Sequence, residues 1–437
     1  MSVRTRTPLA VGAAAALALT IASGAAAGPV ETRRDHGGIV DITPITQVFT
    51  YGQKVVAVAI EYSATVNPRT LDTGTFTVSD SVYNFRYDPI EDLATRADRT
   101  VTRVYTNDEP ALDASGESDR GRFVIVELDP EDVGGNTVIV SKCPTFLCSV
   151  KVNPDLPTQV VQNEDVYAQP GNGRGRGPLL ASASPEARSM TTEPIDLLVD
   201  EFTHDTFAHA GSVLPYAYHL PADYDPTHEY PMVVILPGHG MGYDGDNLGV
   251  QLAADIPATA WLQEEWTGTD EDVIVLAPQN PRVGIPAEAA AMVALVREFT
   301  AEHAVDPERV YASTVSYGST TAWQALATDP GLFTAVLITG GFRVSAAQAA
   351  AIAPSGTPIW VTHGTNDHLL PVAWGLESVT LLRDAYVAAG FSPEEAADLI
   401  RWTEYGNEAY SEPDYHAAYG PTYEDQSVLQ WLLAQRG

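Results

Sequence analysis

The chain has 437 residues, 45% apolar, 8% aromatic and 19% charged; this is the composition of a globular protein of about two or three domains, and it excludes a disordered or fibrous one. Acidic residues number 57 against 24 Lys plus Arg, for a formal charge of -33. That excess argues against nucleic acid as a partner, whose phosphates need cations to displace counterions, and against an anionic membrane surface for the same reason.

Residues 1–27 read as a signal peptide. Arg4 and Arg6 precede an uncharged stretch from Pro8 to Ser23, and Ala25-Ala26-Ala27 supplies small residues before Gly28. The stretch is short and mostly alanine, too weak for a spanning anchor. The expectation is a secreted, extracellular protein that does not engage a membrane.

Residues 28–168 alternate in short β-branched runs, QVFTYG, KVVAVAIEYS, TFTVSD, GRFVIVEL and NTVIVSK among them, separated by turn clusters such as NPRTLDTG and DPEDVGGN. This spacing predicts an all-β, immunoglobulin-like sandwich. Cys143 and Cys148, in C-P-T-F-L-C, make a poor zinc site as two thiolates alone, and their spacing is not that of C-x-x-C redox pairs. A disulfide pinning a local turn is expected. Residues 169–190, rich in Gly, Pro and Ser, read as a linker. From 191 to 437 the texture changes. Apolar runs (MVVILPG, VIVLAP, VYASTVS, AVLITGG, PIWVTHG) alternate with helical stretches such as PAEAAAMVALVREFTAEHAV, which predicts a mostly parallel sheet with helices on both faces.

The chemistry lies in this second half. Thr314-Val315-Ser316-Tyr317-Gly318 is a variant of G-x-S-x-G, the sharp strand-to-helix turn that lifts a serine hydroxyl above a sheet. Small residues flank such a serine because the turn brings strand and helix backbones close. A serine needs a base, and the base an orienting acid. In this fold the chain order is Ser, acid, His. Only His363, His368 and His416 follow Ser316. His363 sits inside the strand PIWVTHG and His368 in the following loop, so His416, beyond the last predicted strand IRWTEYG, is the base. Asp367, in the strand-end loop GTNDHLLP, is the acid. Its rivals are Asp414, too near His416 in sequence to orient it, and Glu377, expected on a helix. The backbone N–H groups of Tyr317 and of His239, in the glycine-rich run Pro237-Gly238-His239-Gly240-Met241-Gly242, are the predicted oxyanion donors. Trp261 either lines the pocket or belongs to the core. No H-E-x-x-H or dinucleotide fingerprint is present, and neither metal nor cofactor is expected.

The catalytic half resembles the α/β-hydrolase superfamily. The whole chain resembles secreted carboxylesterases that carry an Ig-like domain before the hydrolase domain, near the polyhydroxybutyrate-depolymerase and dienelactone-hydrolase branches. The resemblance rests on TQVFTYGQKVVAVAIEYS and VTRVYTN in the first half, and on YPMVVILPGHG, VIVLAPQNPR, VYASTVSYG, PIWVTHGTNDHLLPV and WTEYG in the second. It implies Ser316 as nucleophile, Asp367 as acid and His416 as base. Pro237 stands where the family usually has the His of an H-G pair, and Thr314 replaces the first elbow glycine. The expected activity is hydrolysis of a small or polymeric ester through an acyl-enzyme. The alternatives are a prolyl-oligopeptidase-type peptidase, for which about 130 residues of short strands are too few to build a seven-bladed propeller, and a non-catalytic binding protein on a hydrolase fold. The sequence leaves the oligomeric state open.

Overall fold

The computed structural model describes residues 38–82, 96–141, 150–152, 158–171, 175–238, 248–254, 256–279, 286–410 and 416–437. The predicted signal peptide, Cys143, Cys148, His239 and Asp414 lie outside these residues.

The first half forms two packed sheets. Its strands are β1 (Ile39–Phe49), β2 (Gly52–Tyr62), β3 (Phe76–Ser81), β4 (Arg96–Asp98), β5 (Val101–Asn107), β6 (Phe123–Leu128), β7 (Ile139–Ser141), β8 (Val150–Val152), β9 (Gln159–Gln162), β10 (Val166–Tyr167), β11 (Leu179–Ala181), β12 (Ser184–Ser189) and β13 (Ile195–Asp196). One sheet runs β13-β1-β2-β6-β5 and the other β12-β9-β3-β4, antiparallel throughout except where β13 runs parallel to β1. Val58, Ile60, Phe76, Val78, Val126 and Val160 fill the space between them. The strand β2 is a near-continuous apolar run because both its faces are covered. Val58 and Ile60 point into the sandwich, while Ala57 and Ala59 lie under Leu112, Ile195 and Leu197.

The segment 169–190, expected as a linker, carries strands: β12 lies antiparallel to β9, Ser189 opposite Gln159, and β11 pairs with β10. An edge strand needs only backbone pairing and one sheltered face, so the polar run SPEARS completes a sheet despite its composition.

The second half carries β14 (Thr203–His209), β15 (Ser212–His219), β16 (Tyr230–Leu236), β17 (Ile274–Pro278), β18 (Val305–Val315), β19 (Ala335–Thr339), β20 (Ile359–Gly364) and β21 (Ile400–Tyr405). They form one sheet in the order β14-β15-β17-β16-β18-β19-β20-β21. An antiparallel pair, β14 and β15, leads in, and every pairing from β17 to β21 is parallel. The helices are α1 (Leu248–Ala254), α2 (Glu264–Thr267), α3 (Pro286–Glu302), α4 (Gly318–Thr328), α5 (Ala346–Ile352), α6 (Val372–Ala389), α7 (Pro393–Leu399), α8 (Tyr419–Glu424) and α9 (Gln426–Leu433). Residues of α3, α4, α5 and α6 bury one face of the sheet. Leu252 of α1, Trp261, Tyr423 of α8 and the apolar side of α9 bury the other. Helix limits are set locally. Ser392 and Glu395 form a reciprocal cap at the start of α7, and Gly390, with φ +112°, ends α6. No helix among the described residues is long and apolar enough to cross a membrane.

The two halves share apolar contacts. Val48 of β1 belongs to the core that contains Ala217, Val233, Trp261 and Tyr423. Val138, just before β7, packs with Val250, Ala253 and Ala254 of α1 and with Val315, the last residue of β18.

Candidate active site

In a parallel sheet the strand ends aim loops and helix N-termini at one crevice. Here β18 ends at Val315, and the next residue, Ser316, has φ +49°, a left-handed conformation rare for a side chain with a Cβ. Its N–H donates to the Thr339 carbonyl at 2.9 Å, and its own carbonyl accepts from the Ser319 hydroxyl at 2.6 Å. Strand and helix meet so closely that a Cβ on Gly318 would lie 2.0 Å from the Leu236 carbonyl oxygen. Glycine is required there. Thr314, in place of the first elbow glycine, is fully buried in register with Leu236 and Ile338, and its hydroxyl has no hydrogen-bond partner among the described residues.

The loop after β20 carries Asp367, the predicted acid. A turn closes with the Asp367 N–H donating to the Gly364 carbonyl at 3.2 Å. One carboxylate oxygen, Oδ1, accepts the N–H groups of Leu369 and Leu370, each at 2.8 Å. The other, Oδ2, accepts Nδ1 of His416 at 2.8 Å. Burial alone would raise this carboxyl, but hydrogen bonds from His363, His416 and the Leu370 N–H outweigh it and hold Asp367 well below the usual carboxylate range. Because the carboxylate only accepts, Nδ1 of His416 carries hydrogen. That leaves Nε2 to accept the Ser316 hydroxyl, 3.0 Å away. Ser316 and His416 are each 8% exposed, shielded from bulk water yet reachable.

Three side chains named from chain order thus lie in one hydrogen-bonded line. Of the other predicted residues, Tyr317 immediately precedes α4, which places its N–H at the positive end of an 11-residue helix. His368 is exposed. Glu377 sits on α6 in an exposed ion pair with Arg343. Trp261 is core: 1% exposed, it meets the Tyr423 ring edge-on at 5.8 Å. Beside the serine, Tyr317, Phe342 and Trp374 form a half-buried aromatic row, with ring centroids 4.4 and 5.7 Å apart.

His363, which the sequence places inside a strand, joins the site as well. It is fully buried on β20, with Nε2 3.0 Å from the Leu370 carbonyl and 3.2 Å from Asp367 Oδ2. The available signal was the spacing: a strand-end turn four residues long folds His363 back over Asp367.

Two family models match the chain: residues 41–173 match one described as an esterase Ig-like N-terminal domain, and residues 214–357 match one described as esterase PHB depolymerase. The chain is similar to a thermostable esterase of known structure at 28% identity and a TM-score of 0.74, over 91% of this chain and 100% of the other. Looser likenesses include the carboxylesterase Cest-2923 from Lactobacillus plantarum WCFS1, at 17% identity over 53% of this chain and 98% of that one, TM-score 0.38. Another is esterase Est2 of Thermogutta terrifontis, at 15% identity over 54% and 95%, TM-score 0.37. No curated protein matches the sequence. An Ig-like sandwich leading a mostly parallel, helix-covered sheet agrees with both models, and the chain belongs to the α/β-hydrolase esterases that join an esterase Ig-like N-terminal domain to a PHB-depolymerase-type esterase domain.

Proposed function

We propose that the protein is a secreted serine carboxylic-ester hydrolase in which Ser316, His416 and Asp367 form the catalytic triad. The observation that carries this reading is the unbroken line from Ser316 Oγ to His416 Nε2 (3.0 Å) and from His416 Nδ1 to Asp367 Oδ2 (2.8 Å), at a left-handed elbow on the sheet's carboxyl edge. His416 takes the hydroxyl proton as Ser316 Oγ attacks the ester carbonyl. The tetrahedral oxyanion is held by the Tyr317 N–H, and the His239 N–H keeps its sequence-based place as second donor. His416 returns the proton to the departing alcohol, leaving an acyl-serine. Water, deprotonated by the same imidazole, then attacks and releases the carboxylic acid. Asp367 stays ionised throughout, stabilising the imidazolium.

The aromatic row of Tyr317, Phe342 and Trp374 and the match to a PHB-depolymerase model support an apolar ester substrate, either a short-chain ester or a polyester. The test is S316A and H416A, each assayed with p-nitrophenyl acetate, an insoluble polyester and a peptide anilide. Each variant is expected to lose about a thousandfold in kcat on esters. An S316A enzyme retaining a tenth of the activity refutes the nucleophile, and turnover of the anilide above the ester refutes the substrate class.

A further inference from the structure

We infer that His363 is a positioning residue for Asp367: its Nε2–H spans from the carboxylate to the Leu370 carbonyl and locks the acid in the orientation that His416 needs. This rests on the triad reading above and adds a fourth side chain to it. Neither the Leu370 carbonyl nor a carboxylate can donate, so the nitrogen facing both, 3.0 and 3.2 Å away, must carry hydrogen. The opposite nitrogen, Nδ1, is buried and has no hydrogen-bond partner among the described residues. A proton there would be an unsatisfied buried donor, which favours the tautomer with hydrogen on Nε2.

The ring's seat is also built for it. A Cβ on Gly375 of α6 would come 2.9 Å from Nδ1 and 2.6 Å from the Trp402 ring. The bare glycine therefore lets α6 close over the imidazole. Leu369 and Leu370 fix Oδ1 from the backbone side. His363 and His416, the titratable groups in contact with the carboxylate, meet on Oδ2. Without His363, the partner left to Oδ2 among the described residues is the His416 it is meant to orient, and the Leu370 carbonyl loses its buried donor.

The sign of the electronic effect follows. A donor to a carboxylate withdraws charge from it. Removing that donor leaves more charge for His416, stabilises its imidazolium, and moves the acid limb of the pH profile of kcat/KM upward. Loss of packing alone would not move that limb.

The experiment compares H363F, which keeps the ring volume but has no donor, with H363Q, whose amide reaches as far as Nε2, in the full chain on p-nitrophenyl acetate. H363F is expected to lower kcat at least about tenfold, the scale of losing an outer partner that orients a functional side chain. KM should stay within about twofold, with the acid limb displaced upward; H363Q should recover most of kcat and return the limb. A folded H363F with wild-type kcat and an unmoved limb overturns the inference. Should H363F not fold, H363Q and H363N replace it. The shorter Asn amide cannot reach the Leu370 carbonyl, and equal kcat and equal limbs for that pair overturn the inference. S316A separates the levels. Activity there overturns the triad and this inference with it, while an inactive S316A beside an unaltered H363F overturns this inference alone.

Discussion

Gly318→Ala tests the elbow geometry with a single methyl group. The new Cβ would start 2.0 Å from the Leu236 carbonyl oxygen and 2.6 Å from its carbon, both backbone atoms in the middle of the sheet. Reaching the 3.4 Å at which ordinary contact begins requires the start of α4 to retreat by about 1.4 Å. Ser316 is two residues away, and its hydroxyl lies 3.0 Å from His416 Nε2. A displacement of that size breaks this hydrogen bond and moves the Tyr317 N–H with it. Misplacing a reacting group by about 1 Å costs about a hundredfold in rate. Forcing a methyl into a packed site costs about 1–3 kcal/mol, or several degrees of melting temperature in a chain of this size. The assay is kcat on p-nitrophenyl acetate together with scanning calorimetry. The matched control is G331A, at a glycine whose added Cβ meets nothing within 4 Å. A G318A enzyme that keeps kcat within threefold and melts like G331A would refute the argument that the close approach of α4 and β16 sets the serine.

Ser316 holds φ +49°, so S316G, equally inactive, should be about 1 kcal/mol more stable than S316A because glycine carries no left-handed penalty; denaturant titration of the two checks this. Asp367 has a depressed folded pKa. Its stabilisation is therefore complete above the unfolded Asp value of about 3.9 and is lost as pH falls below it. The stability gap between wild type and D367N should accordingly shrink below about pH 4, and a gap that widens there contradicts the sign. Val138 is fully buried against Val250, Ala253, Ala254 and Val315, whereas Val133 is 68% exposed. V138D should lower the melting temperature sharply through an unpaired buried charge, and V133D should not; equal shifts would show that the contact carries no weight.

Much of this was legible without coordinates because it depends on local pattern. The alternation of KVVAVAIEYS with turn clusters, and then of MVVIL and VIVLAP with alanine-rich helices, marks a sandwich followed by a covered sheet. The serine sits at a strand-to-helix junction that the small residues around it announce. Chain order then isolates His416 and Asp367, which lie 2.8 Å apart. The unread features are those set by long-range pairing. SPEARS has no apolar alternation, and only its register with β9 makes it a strand. The direction of β15, antiparallel to β17, is fixed by the neighbours it finds and not by VLPYAYH. Trp261 could not be assigned to core or pocket from its neighbours in sequence, since the Tyr423 ring that meets it lies far along the chain. His363 was passed over because an apolar strand context hides a polar contact made around a turn.

The separate apolar contacts that Val138 and Val48 make with the second half bear on how such a chain can be cut and rejoined. The composition break near residue 170 looks like the natural seam for exchanging the leading domain with that of another esterase. A graft made there would leave α1 and the end of β18 facing a foreign surface, because their apolar partner Val138 is encoded more than a hundred residues upstream of Val250 and Val315. The transferable module is the sandwich together with the α1 residues Val250, Ala253 and Ala254, and a recombination that respects contacts must carry both pieces even though they are not contiguous in the gene.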